Sequence, residues 1–291
     1  MRLDELPTSD RIEDRRGVGT SRAGLGIGTV VVLGLIGWAL GIDPRLLIGG
    51  AEMISGNEPT QQQGEAKTGA PSDEVGHFVS AILGSTEAEW KEIFDQAGRT
   101  YEPPTLVMFT GATQSGCGFA KAAMGPFYCP IDQKVYLDTS FFRDLQQRFR
   151  GCDAGSKTCQ FSQAYVIAHE IGHHVQNQLG ILPKVQQAKQ GVEHADANAL
   201  QVRVELQADC LAGVWANRAQ AKWQFIEPGD VEAALQTASA IGDDRLQRQS
   251  QGYVVPDAFT HGTSAQRAHW FSNGLKSGQV ASCDTFRAEQ R

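Results

Sequence analysis

The chain has 291 residues, of which 33 are acidic and 26 are lysine or arginine, and its formal net charge is −7. Hydrophobic residues make up 41% and charged residues 20%, which is ordinary for a globular protein and excludes a disordered or collagen-like chain. The acidic balance argues against nucleic-acid binding, because no basic patch stands out that could neutralise phosphates.

An uncharged segment near the N-terminus predicts a membrane anchor. Residues 23–42 are twenty consecutive positions without a charged side chain, with Trp38 near the far end. A helix of this length spans about 30 Å, the thickness of a bilayer core. Basic residues are concentrated before the segment, so the positive-inside rule places the N-terminus in the cytoplasm and the rest of the chain across the membrane. A cleaved signal peptide and a buried core helix are the alternatives. The signal peptide is disfavoured because the region before the apolar run and the run itself are too long and no A-x-A site follows the run.

The remaining organisation follows from composition and periodicity. We predict a cytoplasmic segment at 1–22, the transmembrane anchor at 23–42, a flexible linker at 43–75 and a folded domain at 76–291. The linker is predicted because residues 55–75 contain no aromatic side chain and almost no large apolar one.

Within the folded domain, helical patterns predominate over strand patterns. Thr86 and Glu89 resemble a capping box that restarts the first helix after Gly84, Pro228 is placed to open a later helix, and Thr263 with Gln266 caps the last one. Helices are predicted over 77–97, 141–149, 162–179 and 196–220, a strand over 105–110, and a hairpin over 127–138. The predicted fold class is α+β, mostly helical with a small sheet.

Six cysteines agree with an oxidising compartment. Their spacing suggests the local disulfides Cys117–Cys129 and Cys152–Cys159. Cys210 is either a buried thiol or the partner of Cys283. Zinc binding by these cysteines is disfavoured because no C-x-x-C pair occurs.

The most informative motif is His-Glu-x-x-His, at His169, Glu170 and His173. It is a known metalloprotease zinc signature. Residues i and i+4 lie on one face of a helix, so both imidazoles can point at one metal ion. Glu170, one position after the first histidine, can reach the attacking water as a general base. The competing interpretation is a pair of histidines on a solvated helix.

A second helix supplies candidates for the third ligand. The extended metzincin motif is absent, because Gln176 and Leu179 occupy the positions of its glycine and histidine. Downstream, Glu205 and Asp209 are spaced i and i+4 among apolar residues, so they share one face of a partly buried helix. One carboxylate can bind zinc while the other accepts a hydrogen bond from a ligand histidine.

The chain resembles the bacterial neutral zinc metallopeptidase family, a family of membrane-anchored predicted metalloproteases. The resemblance covers roughly residues 1–288. It is carried by the stretches TQSGCGFAKAAMGPFYCPIDQKVYLD at 113–138, YVIAHEIGHHVQNQLG at 165–180, RVELQADCLAGVWA at 203–216 and FTHGTSAQRAHWF at 259–271.

This resemblance implies a zinc-dependent peptidase of glutamate-zincin type, with a zincin-like domain that follows one transmembrane helix in the bacterial inner membrane. It implies Zn²⁺ as cofactor, with His169, His173 and Glu205 as ligands. Glu170 is then the catalytic base, and Asp209 orients a ligand histidine. The expected partners are a peptide or protein substrate and the membrane, and no nucleic acid.

Two further hypotheses concern the substrate side of the site. The oxyanion formed during hydrolysis needs a hydrogen-bond donor besides the metal, and His261 is the candidate, with Tyr165 as second choice. The competing interpretation of His261 is a structural histidine that hydrogen-bonds a loop. The 127–138 hairpin can supply an edge strand to which an extended peptide adds, although it is equally consistent with an ordinary hairpin held by a disulfide. A scaffold protein with an idle zinc site and a hydrolase of cell-wall amides are the competing functions, and the presence of Glu170 disfavours the idle site.

Overall fold

The computed structural model describes residues 1–17, 66–121, 124–147 and 158–287. Within these ranges no helix is both long enough and apolar enough to cross a bilayer. The predicted anchor at 23–42 lies outside the described residues, as do residues 43–65 of the predicted linker.

The described residues form a small mixed sheet, a two-stranded hairpin and a set of packed helices, which confirms the α+β class. The strands are β1 (Ile12–Asp14), β2 (Lys67–Thr68), β3 (Thr105–Phe109), β4 (Ala112–Ser115), β5 (Gly118–Lys121), β6 (Phe127–Cys129) and β7 (Lys134–Asp138). The helices are α1 (Glu74–Gln96), α2 (Phe141–Gln147), α3 (Cys159–Gln178), α4 (Ile181–Lys189), α5 (His194–Trp223), α6 (Asp230–Ala240), α7 (Asp243–Gln251) and α8 (Ser264–Ser277), with 3₁₀ turns at Pro256–Ala258 and Val280–Cys283.

The sheet has the strand order β2-β1-β3-β7-β6, so β6 is an edge strand. Strand β3 runs parallel to both β1 and β7, whereas β6 pairs antiparallel with β7. Alternate side chains of β3 face opposite layers: Leu106 and Met108 join the main core against the helices, while Val107 and Phe109 pack with Ala120 of β5. Because both faces of β3 are buried, its sequence from Leu106 to Phe109 is a continuous run of apolar residues and does not alternate with polar ones.

The N-terminal residues are part of this sheet and of the core. Ile12 in β1 is fully buried and pairs with Leu106 of β3. Upstream, the backbone N–H of Ser9 donates to the carbonyl of Ser80 in α1. A Cβ atom at Gly84 would overlap the backbone of Pro7, so the glycine in the middle of α1 makes room for the N-terminal segment. Helix α1 is therefore continuous, and the predicted restart at Thr86 and Glu89 is wrong.

The predicted domain boundaries need correction for the same reason. Met1–Arg16 and Lys67–Arg291 form one compact unit, so the domain includes the N-terminus and resumes at Lys67, not at residue 76. A single membrane crossing between these two parts would put β1 and β3 on opposite sides of the bilayer. The paired strands instead require residues 1–16 and 67–287 to lie on the same side of any membrane.

Close helix contacts hold the layer that carries the HExxH motif. Gly172, inside the motif, lies against Ala208 of α5, where an added Cβ would come within 3.0 Å of the carbonyl oxygen. At the next interface, Gly213 of α5 and Gly274 of α8 approach each other's helix so closely that a Cβ at either would overlap backbone atoms. Small residues thus bring α3, α5 and α8 together at short axial separations.

Disulfides connect elements that are distant in sequence. Cys117–Cys129 links the turn of the β4–β5 hairpin to β6, which confirms that pair. Cys210–Cys283 links α5 to the last 3₁₀ turn, which decides between the two alternatives for Cys210 in favour of the disulfide. Cys159 is also disulfide-bonded, but Cys152 lies outside the described residues, so the predicted pair Cys152–Cys159 stays a prediction.

Other element predictions were of mixed accuracy. The hairpin strands β6 and β7 and the capping box of Thr263 and Gln266 are confirmed. Pro228, however, lies before the N-cap of α6, which is Gly229. Helices α4 and α7 and the β4–β5 hairpin were not predicted.

Candidate metal centre

Three side chains from two helices converge in one cavity. His169 and His173 of α3 and Glu205 of α5 each offer one ligand atom, and these atoms lie within 4.8 Å of one another. The Nε2 atoms of the two histidines are 3.2 and 3.4 Å from the same oxygen, Oε2 of Glu205. Two imidazoles and a carboxylate are the donor set of a catalytic zinc site with an open fourth position, so these residues fit that metal.

The other ring nitrogen of each histidine is already hydrogen-bonded. Nδ1 of His169 lies 2.8 Å from Oδ1 of Asp209, and Nδ1 of His173 lies 2.9 Å from Oε1 of Gln176. Both partners are acceptors, so each Nδ1 carries the proton and each Nε2 presents a lone pair to the metal position. Sequence reasoning used Gln176 only to exclude the metzincin motif and missed this role.

Asp209 is the centre of a buried polar network behind the ligands. Its side chain is fully buried and accepts hydrogen bonds from His169, from the Tyr165 hydroxyl at 2.5 Å, and from Nε and Nη2 of Arg267, both at 2.9 Å. Burial alone would favour the neutral acid, but the positive charge of Arg267 and the hydrogen bonds from His169 and Arg267 outweigh it and hold the pKa of Asp209 at about 2. Asp209 is therefore an anion that orients His169 from behind.

Arg267 was not among the residues predicted from the sequence. It lies on α8, its side chain is buried, and it donates to both oxygens of Asp209 and to the carbonyl of Ile241. An isolated buried carboxylate is costly, and a bidentate guanidinium is the partner that compensates it best. The local sequence around Arg267, four residues after the N-cap Thr263, does not predict this contact. The reason is that Asp209 lies 58 residues away in the chain.

Tyr165 does not fit the role of second-choice oxyanion donor. Its ring is fully buried, and its hydroxyl donates to Asp209 while accepting from Arg267 at 3.3 Å. The hydroxyl proton is therefore committed to Asp209 and is not available to a substrate. Tyr165 instead supports the network that orients His169.

Glu170 lies beside the ligands, on the wall of the same cavity. Its side chain is buried, and this burial raises the pKa of the carboxyl group even though His169 and His173 oppose the shift. A carboxylate with a raised pKa is a better proton acceptor than an ordinary surface glutamate. The structure thus places the predicted base next to the metal position and not in the ligand set.

His261 also lines this cavity, from the loop before α8. Its Nδ1 is 3.3 Å from Oδ1 of Asp243, and Oδ2 of Asp243 accepts the backbone N–H groups of Thr260, His261 and Gly262. The hydrogen bond to Asp243 raises the pKa of His261 and so favours the protonated ring, in which both nitrogens carry hydrogen and Nε2 is a donor. The sequence did not predict Asp243, the residue that holds this loop.

The edge strand β6 forms another wall of the cavity. Tyr128 faces α3, where its hydroxyl accepts from Asn177 at 3.0 Å and lies 3.1 Å from Nδ1 of His174. On the opposite face of β6, Cys129 is tied to Cys117. Both faces of the strand are therefore fixed, and the hairpin does provide an edge strand along the metal helix.

The cavity has a volume of about 690 Å³, which is within the range of small-molecule and peptide sites. It combines the three metal-site residues, Glu170 and His261 with a largely apolar lining from β6, α3 and α4. All residues that the sequence assigned to the chemistry, apart from Asp209 behind them, thus face one concave space.

Comparison with known proteins finds relatives that are similar to this chain over most of its length. An "Uncharacterized protein YpfJ" of Escherichia coli K12 is 46% identical over 296 residues, covering 98% of this chain and 99% of the relative. An "Uncharacterized protein Rv2575" of Mycobacterium tuberculosis H37Rv is 40% identical over 261 residues, covering 86% of this chain and 84% of the relative. No solved structure matches the chain.

The sequence model of a family described as "Putative neutral zinc metallopeptidase" matches residues 1–286, which is nearly the whole chain. The match includes the N-terminal strand, the HExxH helix and the helix that carries Glu205. Together with the cluster of His169, His173 and Glu205, it shows that the chain belongs to this neutral zinc metallopeptidase family.

Proposed function

We propose that the protein is a zinc-dependent peptidase. The observation that carries the proposal is the convergence of Nε2 of His169, Nε2 of His173 and a carboxylate oxygen of Glu205 in a cavity that Glu170 also lines. When bound, zinc supplies Lewis-acid polarisation of the scissile carbonyl and lowers the pKa of the attacking water.

Glu170 does the proton transfer in this proposal. It accepts a proton from the attacking water and later delivers it to the leaving nitrogen of the cleaved bond. Burial raises its pKa, which suits a group that must both accept and release a proton. Binding a metal does not require Glu170, so its presence favours catalysis over a scaffold role.

His261 is our proposed donor to the developing oxyanion. Its ring lines the cavity, and Asp243 orients it through Nδ1. In the protonated ring, which Asp243 favours, Nε2 can donate to a carbonyl oxygen that gains negative charge.

The charges of the site balance when zinc is present and both histidines are neutral. The two positive charges of the ion and the guanidinium of Arg267 then offset the carboxylates of Glu170, Glu205 and Asp209. A balanced set lowers the cost of burying so many ionised groups together. Arg267 therefore supports the metal position without contacting it in our proposal.

Substrate binding along β6 is the third part of the proposal. Among the described strands β6 is the edge of its sheet, and it lines the cavity, so we propose that an extended peptide pairs with the backbone of its outer edge. Such pairing places a backbone carbonyl near the metal position whatever the side chains are.

Membrane attachment through residues 23–42 is a further proposal. It must satisfy the pairing of β1 with β3, so the segment has to enter and leave the membrane on one side. The side of the membrane on which the domain lies is proposed from the cysteines: two disulfides are formed among the described residues, which favours an oxidising, extracytoplasmic location.

The test of the proposed activity compares the zinc-loaded wild type with Glu170→Gln on a broad peptide library, with a chelator control. We expect turnover to fall by about 10²–10⁴-fold in the variant, since Gln has nearly the same shape but cannot take up the proton. A variant that keeps pace with the wild type, or a wild type that cleaves no peptide, would contradict the proposal.

A further inference from the structure

We infer that the groove over the metal site binds an internal stretch of polypeptide, with apolar side chains on both sides of the scissile bond, and does not hold a chain terminus. The inference rests on the proposed peptidase activity and deepens it. Three features of the cavity carry it: the direction in which its wall runs, the polarity of its two ends, and the engagement of its charged groups.

The groove follows the axis of α3. Val166, Glu170, His173 and Asn177 all line it and are spaced by four, three and four residues, which puts them on one face of the helix. From Val166 to Asn177 this face extends about 16 Å at 1.5 Å per residue. An extended peptide rises about 3.3 Å per residue, so roughly five residues of substrate fit along the wall.

Apolar side chains line both parts of this wall. Near Asn177, helix α4 contributes Leu182 and Val185, beside the polar Gln186. Near Val166 the lining includes Ile241, whose carbonyl accepts from Arg267, and Arg267 also donates to Tyr165, the neighbour of Val166. The metal position lies between these parts, so apolar surface is available to substrate residues on either side of the cleaved bond.

No carboxylate among the described lining residues is available for a free α-amino group. Glu205 is engaged by both histidines and by Nε2 of Gln201, and Glu170 is assigned to the attacking water. An aminopeptidase needs a further acidic group that fixes the ammonium of its substrate, because an unpaired charge is costly in a partly dry site.

The described part of the lining is equally unsuited to a free α-carboxylate. Of its cations, Arg267 uses Nε and Nη2 on Asp209 and Nη1 on Ile241, and His261 is paired with Asp243 and assigned to the oxyanion. A carboxypeptidase needs a cationic side chain in its groove that is free to bind the α-carboxylate of the substrate. The site therefore favours cleavage within a chain.

The experiment uses the full chain loaded with zinc and ten-residue peptides that differ in two respects. One set carries Leu-Phe at the centre and the other Lys-Glu, and each is made with free termini and with an acetylated and amidated pair of ends. We expect the apolar peptides to be cleaved at least about tenfold faster, because burial of their central side chains in the groove is favourable. Blocking both ends should change kcat/KM by less than about threefold.

Leu182→Glu tests the proposed subsite on α4, and Val192→Glu is the matched control. Val192 is an exposed apolar residue in the turn before α5 and does not line the groove. We expect Leu182→Glu to lower the preference for apolar over lysine-containing peptides by on the order of tenfold, because the apolar contact is lost and an ion pair is gained. The control should leave the ratio unchanged.

Binding provides a readout that does not depend on turnover. The zinc-loaded Glu170→Gln protein should bind the blocked Leu-Phe peptide more tightly than the blocked Lys-Glu peptide in fluorescence anisotropy. Release of single terminal residues, loss of cleavage on blocking, or equal cleavage and binding of the two sequences would overturn the inference while leaving the peptidase proposal intact. Cleavage of no peptide at all would overturn both.

Discussion

At the scale of single residues, the site is built from two pairs of side chains, each pair on one face of a helix. His169 and His173 are one turn apart on α3, and Glu205 and Asp209 are one turn apart on α5, so helix periodicity alone put each pair on one face. Residues whose partners are far away in sequence could not be found this way. Arg267 meets Asp209 across 58 residues, and Asp243 meets His261 across 18.

Arg267→Met should weaken zinc binding and slow turnover by roughly 10–100-fold, the usual scale for losing a partner of a ligand histidine. The physical reason is that Asp209 would lose two charge-assisted hydrogen bonds and its compensating charge in a buried site. Zinc competition with a chromogenic chelator measures the affinity. Arg287→Met, at an exposed position near the C-terminus, is the control. Unchanged zinc affinity in Arg267→Met would show that the network does not support the metal site.

His261→Phe and Asp243→Asn separate catalysis from metal binding. We expect both to retain zinc, because neither residue belongs to the ligand cluster. The first should lower kcat by about 10²–10³-fold through loss of an oxyanion donor, and the second by a smaller factor, because the ring would stay in place but lose its orienting charge. A larger effect of Asp243→Asn than of His261→Phe on kcat would contradict the assigned roles.

At the scale of elements, the prediction succeeded where a local signal is strong. The turn Pro-Ile-Asp-Gln between two apolar runs predicted β6 and β7 with the observed bounds, and the capping box predicted the start of α8. It failed for β1 and β2, which are three and two residues long and lie in polar sequence. Their strand conformation depends on pairing with β3 and with each other, which no local pattern reports.

The N-terminal segment should be essential for the fold of the peptidase domain. A chain that starts at residue 66 would lose β1, which fills the position between β2 and β3 and buries Ile12. It would expose the backbone edge of β3 and the apolar surface under Pro7 and Leu6, a loss of several kcal/mol by burial alone. We expect this truncated chain to show no cooperative thermal unfolding.

Adding back a synthetic peptide of residues 1–16 in excess should partly restore unfolding cooperativity and zinc binding. A scrambled peptide of the same composition is the control. Native-like stability of the truncated chain without any peptide would contradict the placement of β1 in the sheet.

At the scale of the whole molecule, the structure constrains how the chain can meet a membrane. The sequence predicted a single crossing at 23–42, but it could not reveal that residues 12–14 and 105–109 are neighbouring strands. In our proposal residues 23–42 attach the protein to a membrane, and the pairing of β1 with β3 keeps the two flanks of this segment together.

Reporters fused before Met1 and after Phe286 should therefore lie on the same side of the membrane in cells. The physical reason is that β1 and β3 share backbone hydrogen bonds in one folded unit. Each end is fused in turn to a reporter that is active only in the cytoplasm and to one that is active only outside it, and the two activities show on which side that end lies. If the two ends lay on opposite sides, the chain would cross the membrane once, and the pairing of β1 with β3 would be contradicted.

The central claim is that His169, His173 and Glu205 form a zinc site in which Glu170 is the base and not a ligand. Elemental analysis of purified full-length variants tests it most directly. We predict about one zinc per chain in the wild type and in Glu170→Gln, and almost none in His169→Ala, His173→Ala or Glu205→Ala, because two remaining ligands rarely retain the ion. Stoichiometric zinc in any of the three ligand variants, or loss of zinc in Glu170→Gln with the fold intact, would contradict the account.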